Sequence, residues 1–151
     1  MLLSLLGYPT HRTEAKALFL ADRHYAGASL DDIRRTLVRT GAIASAEWIY
    51  FDKLSVESIA KRIRGGDRRV ATPTILSFGI VHPILKVRAR HVAVLLSASS
   101  QNLELLDPLA RAPAATSAAN VIVMAPYHVT GSRYRVDRHA TVALLRWARG
   151  S

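Results

Sequence analysis

Cysteine is absent from this sequence of 151 residues. The chain therefore supplies no disulfide, no thiolate metal site and no cysteine nucleophile. Long apolar runs are missing as well, because no window approaches the roughly 18 uninterrupted apolar residues of a membrane span. Residues 1–6 are apolar but lack a basic start and a small-residue cleavage site, so we interpret them as a docking segment rather than a signal peptide. These absences predict a protein without a membrane span, for which the cytoplasm is the default location.

Acidic residues are the next scarce class. There are 11 Asp and Glu against 21 Lys and Arg, which gives a formal net charge of +10. Such an excess predicts attraction to nucleic acid or to an acidic peptide or protein partner, and the alternative is a solvated surface on an arginine-rich protein. No aromatic residue interrupts the densest basic cluster, so the stacking pattern of single-strand binders is absent there. The cluster consists of Lys61, Arg62, Arg64, Arg68 and Arg69.

Helical signals dominate the first 66 residues. Apolar residues at helical spacing predict a first helix over residues 13–25. Ser29 followed by Asp32 is close to a capping box and predicts a second helix, which Gly41 stops. A third helix is predicted over residues 55–65, with a serine at its start and glycine at its end.

Apolar runs separated by polar or proline-containing stretches follow, and they are typical of antiparallel strands. Residues 99–102 are the predicted tip of a hairpin, residues 133–136 an edge strand, and Asp137 the cap of a final helix that runs through Trp147. Helices followed by strands predict one α+β domain over residues 1–151, with N-terminal helices packed on a C-terminal antiparallel sheet. The four main strands are predicted at residues 74–78, 91–96, 103–106 and 120–125.

A histidine and an aspartate stand at matching ends of the central predicted hairpin. His91 opens one strand, and Asp107 closes the next. In a tight hairpin these ends are adjacent, so the carboxylate can orient the imidazole and stabilise its charged form. The same pair could instead be a structural hydrogen bond that fixes the hairpin. The other histidines show no metal-ligand spacing, and no motif predicts a metal or a cofactor.

The order of features around this hairpin is proline, apolar strand, histidine with an apolar run, hairpin and Asp-Pro. It resembles the second half of the papain-like peptidases that process the double-glycine leader peptides of bacteriocins. The predicted helices over residues 13–27 and from Ser29 onward are similar to the helical first half of that family, so the resemblance covers roughly residues 9–110. It implies a papain-like fold with a cleft between the first helix and the sheet, in which His91 and Asp107 form the catalytic pair.

The resemblance fails at the nucleophile. The family opens its first helix with Cys-Gly and places a glutamine shortly before it, whereas residues 9–16 here contain neither cysteine, glycine nor glutamine. Thr13, Glu14 or Ala15 stands at the nucleophile position, and a threonine at a helix start is usually a cap. Loss of the nucleophile and of the oxyanion donor removes more than one part of acyl transfer. The resemblance therefore implies a degenerate member that keeps the fold and the cleft without the peptidase activity.

Three functions remain open on the sequence alone. The leading hypothesis is a non-catalytic, peptidase-like domain that recognises a peptide or protein segment in peptide maturation or export. Its candidate groove residues are Trp48 and Tyr50, in an apolar aromatic cluster that could equally belong to the core. The alternatives are a basic nucleic-acid-binding protein and an active hydrolase or acyltransferase that combines His91 and Asp107 with an unidentified nucleophile.

Overall fold

The computed structural model describes residues 29–41, 43–65, 70–81, 86–107, 121–132 and 134–150. In this part of the chain the fold is α+β, as predicted, with two helices and a large antiparallel sheet. The helix predicted over residues 13–25 lies outside the described residues. Neither described helix is long and apolar enough to cross a membrane. The elements are α1 (Leu30–Arg39), β1 (Ile43–Phe51), α2 (Val56–Arg64), β2 (Thr74–Val81), β3 (Arg88–Ala98), β4 (Leu103–Leu106), β5 (Val121–Ala125), β6 (His128–Thr130), β7 (Arg135–Asp137) and β8 (Val142–Arg149).

Both helices begin where their sequence signals predict. The Ser29 hydroxyl accepts the backbone N–H of Asp32 at 3.1 Å, and the Asp32 carboxylate accepts the backbone N–H of Ser29 at 2.9 Å, which completes a capping box. The Ser55 hydroxyl caps α2 by accepting the backbone N–H of Ser58 at 3.2 Å, and Gly65 is its C-cap. Caps satisfy backbone donors locally, so the ends of these short helices are set by nearby sequence.

The strands form one sheet in the order β1-β8-β2-β3-β4-β5-β6, and β7 pairs with β2 as a short additional strand. Every pairing is antiparallel. The predicted β3–β4 hairpin is present, and its tip is closed by a 2.9 Å hydrogen bond from the Ser99 N–H to the Asn102 carbonyl. β8 follows all the other strands in the chain but lies between β1 and β2, so the centre of the sheet joins segments that are far apart in sequence.

Each of the two described helices covers one face of the sheet. α1 packs Ile33 and Leu37 on one side, here named the α1 face, and α2 packs Val56 and Ile59 on the other, the α2 face. The same strands serve both faces because successive side chains point to opposite sides. The buried strand residues of the α1 face are Ile43, Ile75, Val94, Leu145 and Trp147, and those of the α2 face are Leu76, Phe78, Ile80, Ala93, Leu95, Leu103, Leu105, Ile122, Met124, Val142 and Leu144.

Two parts of the predicted architecture are wrong. The final helix predicted from Asp137 through Trp147 is replaced by the strands β7 and β8. The first four residues of β8 are all buried, and a strand buried on both faces has a continuous apolar run that periodicity alone does not distinguish from a helix. Residues 43–51, expected in the helical half, form β1, so the sheet is not confined to the C-terminal half. The edge strand expected at residues 133–136 corresponds to β7 at Arg135–Asp137.

Candidate functional site

The His91 and Asp107 side chains meet at the end of the sheet away from the β3–β4 hairpin tip. His91 lies near the start of β3, and Asp107 directly follows β4. Because these strands are antiparallel, with Val94 opposite Leu106, the two ends are adjacent. His91 Nε2 lies 2.7 Å from Asp107 Oδ1. The contact expected from the sequence is therefore present.

Tyr134 adds a third side chain, and together the three are named the His91–Asp107–Tyr134 cluster. Tyr134 lies just before β7, which docks on the end of β2, and its hydroxyl donates a hydrogen bond to Asp107 Oδ2. Burial, then the hydrogen bond to Asp107 and the charge of that carboxylate, raise the pKa of Tyr134 well above its ordinary value. The phenol therefore stays protonated and acts as a donor. Sequence reasoning missed Tyr134 because the contact depends on where β7 docks, and no local motif encodes that.

Aromatic packing and burial hold the imidazole in one place. Phe78 stands directly opposite His91 in the β2–β3 pairing, and the two rings meet edge to face, with centroids 5.5 Å apart and planes at 87°. The Tyr134 ring lies 5.1 Å from the same imidazole. Asp107 is fully buried, and the His91 side chain is only 11% exposed. A buried carboxylate is tolerated when it is hydrogen-bonded, and Asp107 accepts hydrogen bonds from both neighbours.

The hydrogen-bond pattern determines which imidazole nitrogen is available. An ionised Asp107 can only accept, so the assignment that satisfies it places the proton on His91 Nε2. Nδ1 is then the basic nitrogen, and no group among the described residues hydrogen-bonds to it. An imidazole oriented in this way can take a proton from a ligand or a nucleophile. The nucleophile candidates Thr13, Glu14 and Ala15 lie outside the described residues, so a cleft between them and His91 stays a prediction.

The two candidate groove residues lie elsewhere. Trp48 and Tyr50 belong to β1 on the α1 face, whereas the His91 ring packs with Phe78 on the α2 face. The Trp48 indole N–H donates to the Leu30 carbonyl at 2.8 Å, and Tyr50 is 65% exposed. The structure does not bring these two residues to His91, and their part in peptide binding stays a prediction.

The predicted basic cluster is described only in part. Lys61, Arg62 and Arg64 are exposed in the last turn of α2, where cations interact favourably with the helix dipole. Two of them line a shallow depression of about 420 Å³ beside the β3–β4 hairpin tip. Arg68 and Arg69 lie outside the described residues. The described part of the cluster is therefore a cationic helix end, separate from the His91–Asp107 contact.

A cleft of about 810 Å³ adjoins the His91–Asp107–Tyr134 cluster, and Tyr134 forms part of its wall. The rest of its lining comes from the β2 end, the β3 start, the β5 end, β6 with the turn before it and Ser132 after it, β7 with the residues after it, and the loop before α2. This volume is in the range of ligand sites. Sequence reasoning missed the cleft because its walls join segments that are distant along the chain. Within the same described residues, no group of three or more His, Asp or Glu side chains is placed to hold a metal ion.

No family model, no curated protein and no solved structure matches this chain. Its function must therefore be inferred from the chemistry of its own residues.

Proposed function

We propose that this protein is a peptidase-like domain of papain-like fold that binds an extended peptide or protein segment without cleaving it. The observation that carries the proposal is the His91–Asp107 contact in a chain without cysteine. The pair supplies the base and its orienting carboxylate, two of the parts that a cysteine peptidase combines. The thiolate that such a mechanism requires is missing.

The cost of burying the cluster supports a functional interpretation. Burying a carboxylate costs several kcal/mol unless good hydrogen bonds offset the loss of water. A protein with well-packed apolar residues in place of a buried charged group is often at least as stable. The β3–β4 hairpin is already fixed by its strand pairing and by the Ser99–Asn102 contact at its tip. Because the hairpin has these other contacts, we assign the buried Asp107 a role toward a ligand in addition to its part in stability.

The absence of cleavage follows from what the chain lacks. The groups of a peptidase site act together, and loss of the nucleophile alone removes nearly all of the rate enhancement that they produce. A hydroxyl such as that of Thr13 is a far weaker acid than a thiol, and one oriented histidine does not compensate for that difference. The expected result is binding without turnover.

A peptide library that includes double-glycine leader peptides tests both halves of the proposal. We expect calorimetry to detect binding of some extended peptides and mass spectrometry to detect no cleaved product. Cleavage that disappears in His91→Ala would overturn the non-catalytic part, and failure of every peptide to bind would overturn the recognition part. The variants Thr13→Cys, Glu14→Cys and Ala15→Cys test the fold, because cleavage gained in one of them requires a papain-like arrangement around His91.

A second candidate function is an active hydrolase or acyltransferase. The observation that favours it is that Asp107 holds His91 Nε2 while no described residue hydrogen-bonds to His91 Nδ1. Its test is hydrolysis of an activated aryl ester. A rate that falls in His91→Ala, in Asp107→Asn and in a hydroxyl variant such as Thr13→Ala would replace the first proposal with this one. A rate equal to that of buffer in the unaltered protein would remove the candidate.

A further inference from the structure

The cleft beside the His91–Asp107–Tyr134 cluster has a cationic rim. Arg88 at the start of β3, Arg135 in β7 and Arg138 just after β7 all line it, and all three are exposed. Asp137 is the single carboxylate among the described lining residues. The rim therefore carries net positive charge at neutral pH and attracts an anionic ligand.

Within the described part of the chain, two of these arginines form no ion pair with a carboxylate. Arg88 Nε lies 3.7 Å from Asp137 Oδ2. By contrast, neither Arg135 nor Arg138 forms an ion pair with any described residue. The Arg138 guanidinium lies 5.6 Å from the centroid of the Tyr127 ring. Stacking on a ring orders an arginine while leaving its N–H donors free for a carboxylate.

Aliphatic side chains line part of the cleft, here named its floor. Met124 is fully buried, and the other aliphatic lining residues of the floor are half-buried: Leu54, Val81, Val129 and Val136. A ligand that matches both regions has carboxylates for the rim and an apolar side chain for the floor. Nucleic acid would satisfy the arginines but has no large aliphatic side chain to bury.

We propose that this cleft is the peptide-binding site and that it selects acidic segments. An aspartate or glutamate of the peptide pairs with Arg135 and Arg138, and a neighbouring apolar side chain is buried against Val129 and Val136. This assignment rests on the proposed function, since it names where and by what chemistry a peptide is recognised.

Tyr134 connects the cleft to the cluster. The residue lines the cleft, its hydroxyl bonds to Asp107, and Asp107 bonds to His91. A peptide seated in the cleft is therefore one side chain away from the His91–Asp107 contact. The NMR signals of the His91 ring report on occupancy without requiring any catalysis.

The test compares two short capped peptides, one of alternating glutamate and leucine and one with glutamine in place of each glutamate. Calorimetric titration at low salt should give at least about tenfold tighter binding of the glutamate peptide, because two exposed charge pairs each contribute modestly. The double variant Arg135→Glu/Arg138→Glu should lose that preference. The milder Arg135→Gln/Arg138→Gln variant should lose part of it. In the unaltered protein, the His91 ring signals should shift as the glutamate peptide is added.

The matched control is Arg39→Glu/Arg149→Glu, which changes the net charge by the same amount. Both residues are exposed and lie outside the cleft, on α1 and at the end of β8. The affinity of this control variant for the glutamate peptide should stay within about twofold of that of the unaltered protein, because distant surface charges are screened by salt. Urea unfolding of every variant verifies that each one is folded.

Each contrary outcome has its own meaning. Peptide binding that is unchanged by the cleft variants would place the site elsewhere and leave the proposed function standing. Equal binding of the glutamate and glutamine peptides would remove the selectivity for acidic segments. No binding of any peptide would overturn the proposed function as well. An oligonucleotide that binds more tightly than the acidic peptide, with the same dependence on Arg135 and Arg138, would reassign the cleft to nucleic acid.

Discussion

The tryptophan indoles of the α1 face and the His91–Asp107–Tyr134 cluster of the α2 face satisfy their polar atoms in different ways. On the α1 face, the Trp48 indole donates to the Leu30 carbonyl at 2.8 Å and the Trp147 indole to the Pro73 carbonyl at 3.1 Å. On the α2 face, Asp107 bonds to both His91 and Tyr134 through their side chains. Backbone carbonyls do not titrate, whereas an imidazole, a carboxylate and a phenol do.

This difference separates structural hydrogen bonds from candidate functional ones. An indole bonded to the backbone fixes where two segments meet and responds little to pH or to a ligand. A set of ionisable side chains that satisfy one another buries charge, and its arrangement changes when any member is lost. The indole hydrogen bonds of the α1 face are therefore expected to contribute to stability alone, and the His91–Asp107–Tyr134 cluster to both stability and binding.

The largest expected effect compares the two cores. Phe78→Ala on the α2 face and Leu145→Ala on the α1 face each replace a fully buried side chain by a cavity. Each should lower the free energy of unfolding by about 2–5 kcal/mol. Urea unfolding measures both losses. The ring signals of His91 should shift in Phe78→Ala, which removes an edge contact, and stay in place in Leu145→Ala. A similar shift in both variants would show that the faces are not independent.

Removing the central carboxylate should have the next largest effect. Asp107→Ala leaves the His91 Nε2 and the Tyr134 hydroxyl buried without their acceptor, which costs about 2–4 kcal/mol for the two groups together. Asp107→Asn keeps one acceptor oxygen and should lose less. Chemical unfolding of the two variants at neutral pH makes the comparison. A smaller loss in the alanine variant than in the asparagine variant would contradict a cluster held by hydrogen bonds to Asp107.

The tyrosine gives a smaller effect with a distinctive pH dependence. Tyr134→Phe removes one hydrogen bond and should cost about 1 kcal/mol at neutral pH. Since the folded pKa of Tyr134 is raised above its ordinary value of 10.0, the unfolded chain releases the phenolic proton first. The stabilisation is thus complete below about pH 10 and is lost as pH rises above it. The difference in unfolding free energy between the unaltered protein and Tyr134→Phe should therefore shrink above about pH 10. Trp147→Phe, its matched control on the α1 face, should show no such change.

The smallest effect on stability is expected at the surface of α2. Reversing the charges of Lys61, Arg62 and Arg64 should change the free energy of unfolding by no more than about 0.5 kcal/mol for each residue, because all three are exposed. If this helix end binds nucleic acid, the same variant should weaken that binding. The affinity of the unaltered protein should also fall steeply between about 50 and 200 mM salt. An affinity for nucleic acid that responds neither to the charge reversal nor to the salt concentration would remove the nucleic-acid alternative for this surface.

Local signals were sufficient for the two described helices, α1 and α2, and for the His91–Asp107 contact. The capping serines Ser29 and Ser55 mark helix starts through bonds to backbone groups three residues away. His91 and Asp107 belong to one hairpin, so the turn at residues 99–102 alone brings them together.

Tertiary placement decided what the sequence did not predict. β8 has no alternation because both of its faces are buried, and only its neighbours β1 and β2 distinguish it from a helix. Tyr134 reaches Asp107 because β7 docks on the end of β2. The cleft depends on the same docking, since residues of β7 form one of its walls.

The central position of β8 also has a consequence for the newly made chain. The sheet is completed only when residues 142–149 insert between β1 and β2, pairing positions as distant as Ile43 and Arg149. Chains are made from the N-terminus, and distant strand pairings form slowly. Until that late segment has left the ribosome, β1 and β2 each present an open edge and adjoining apolar residues. A nascent chain in this state is expected to be a substrate for chaperones and the most aggregation-prone form of the protein.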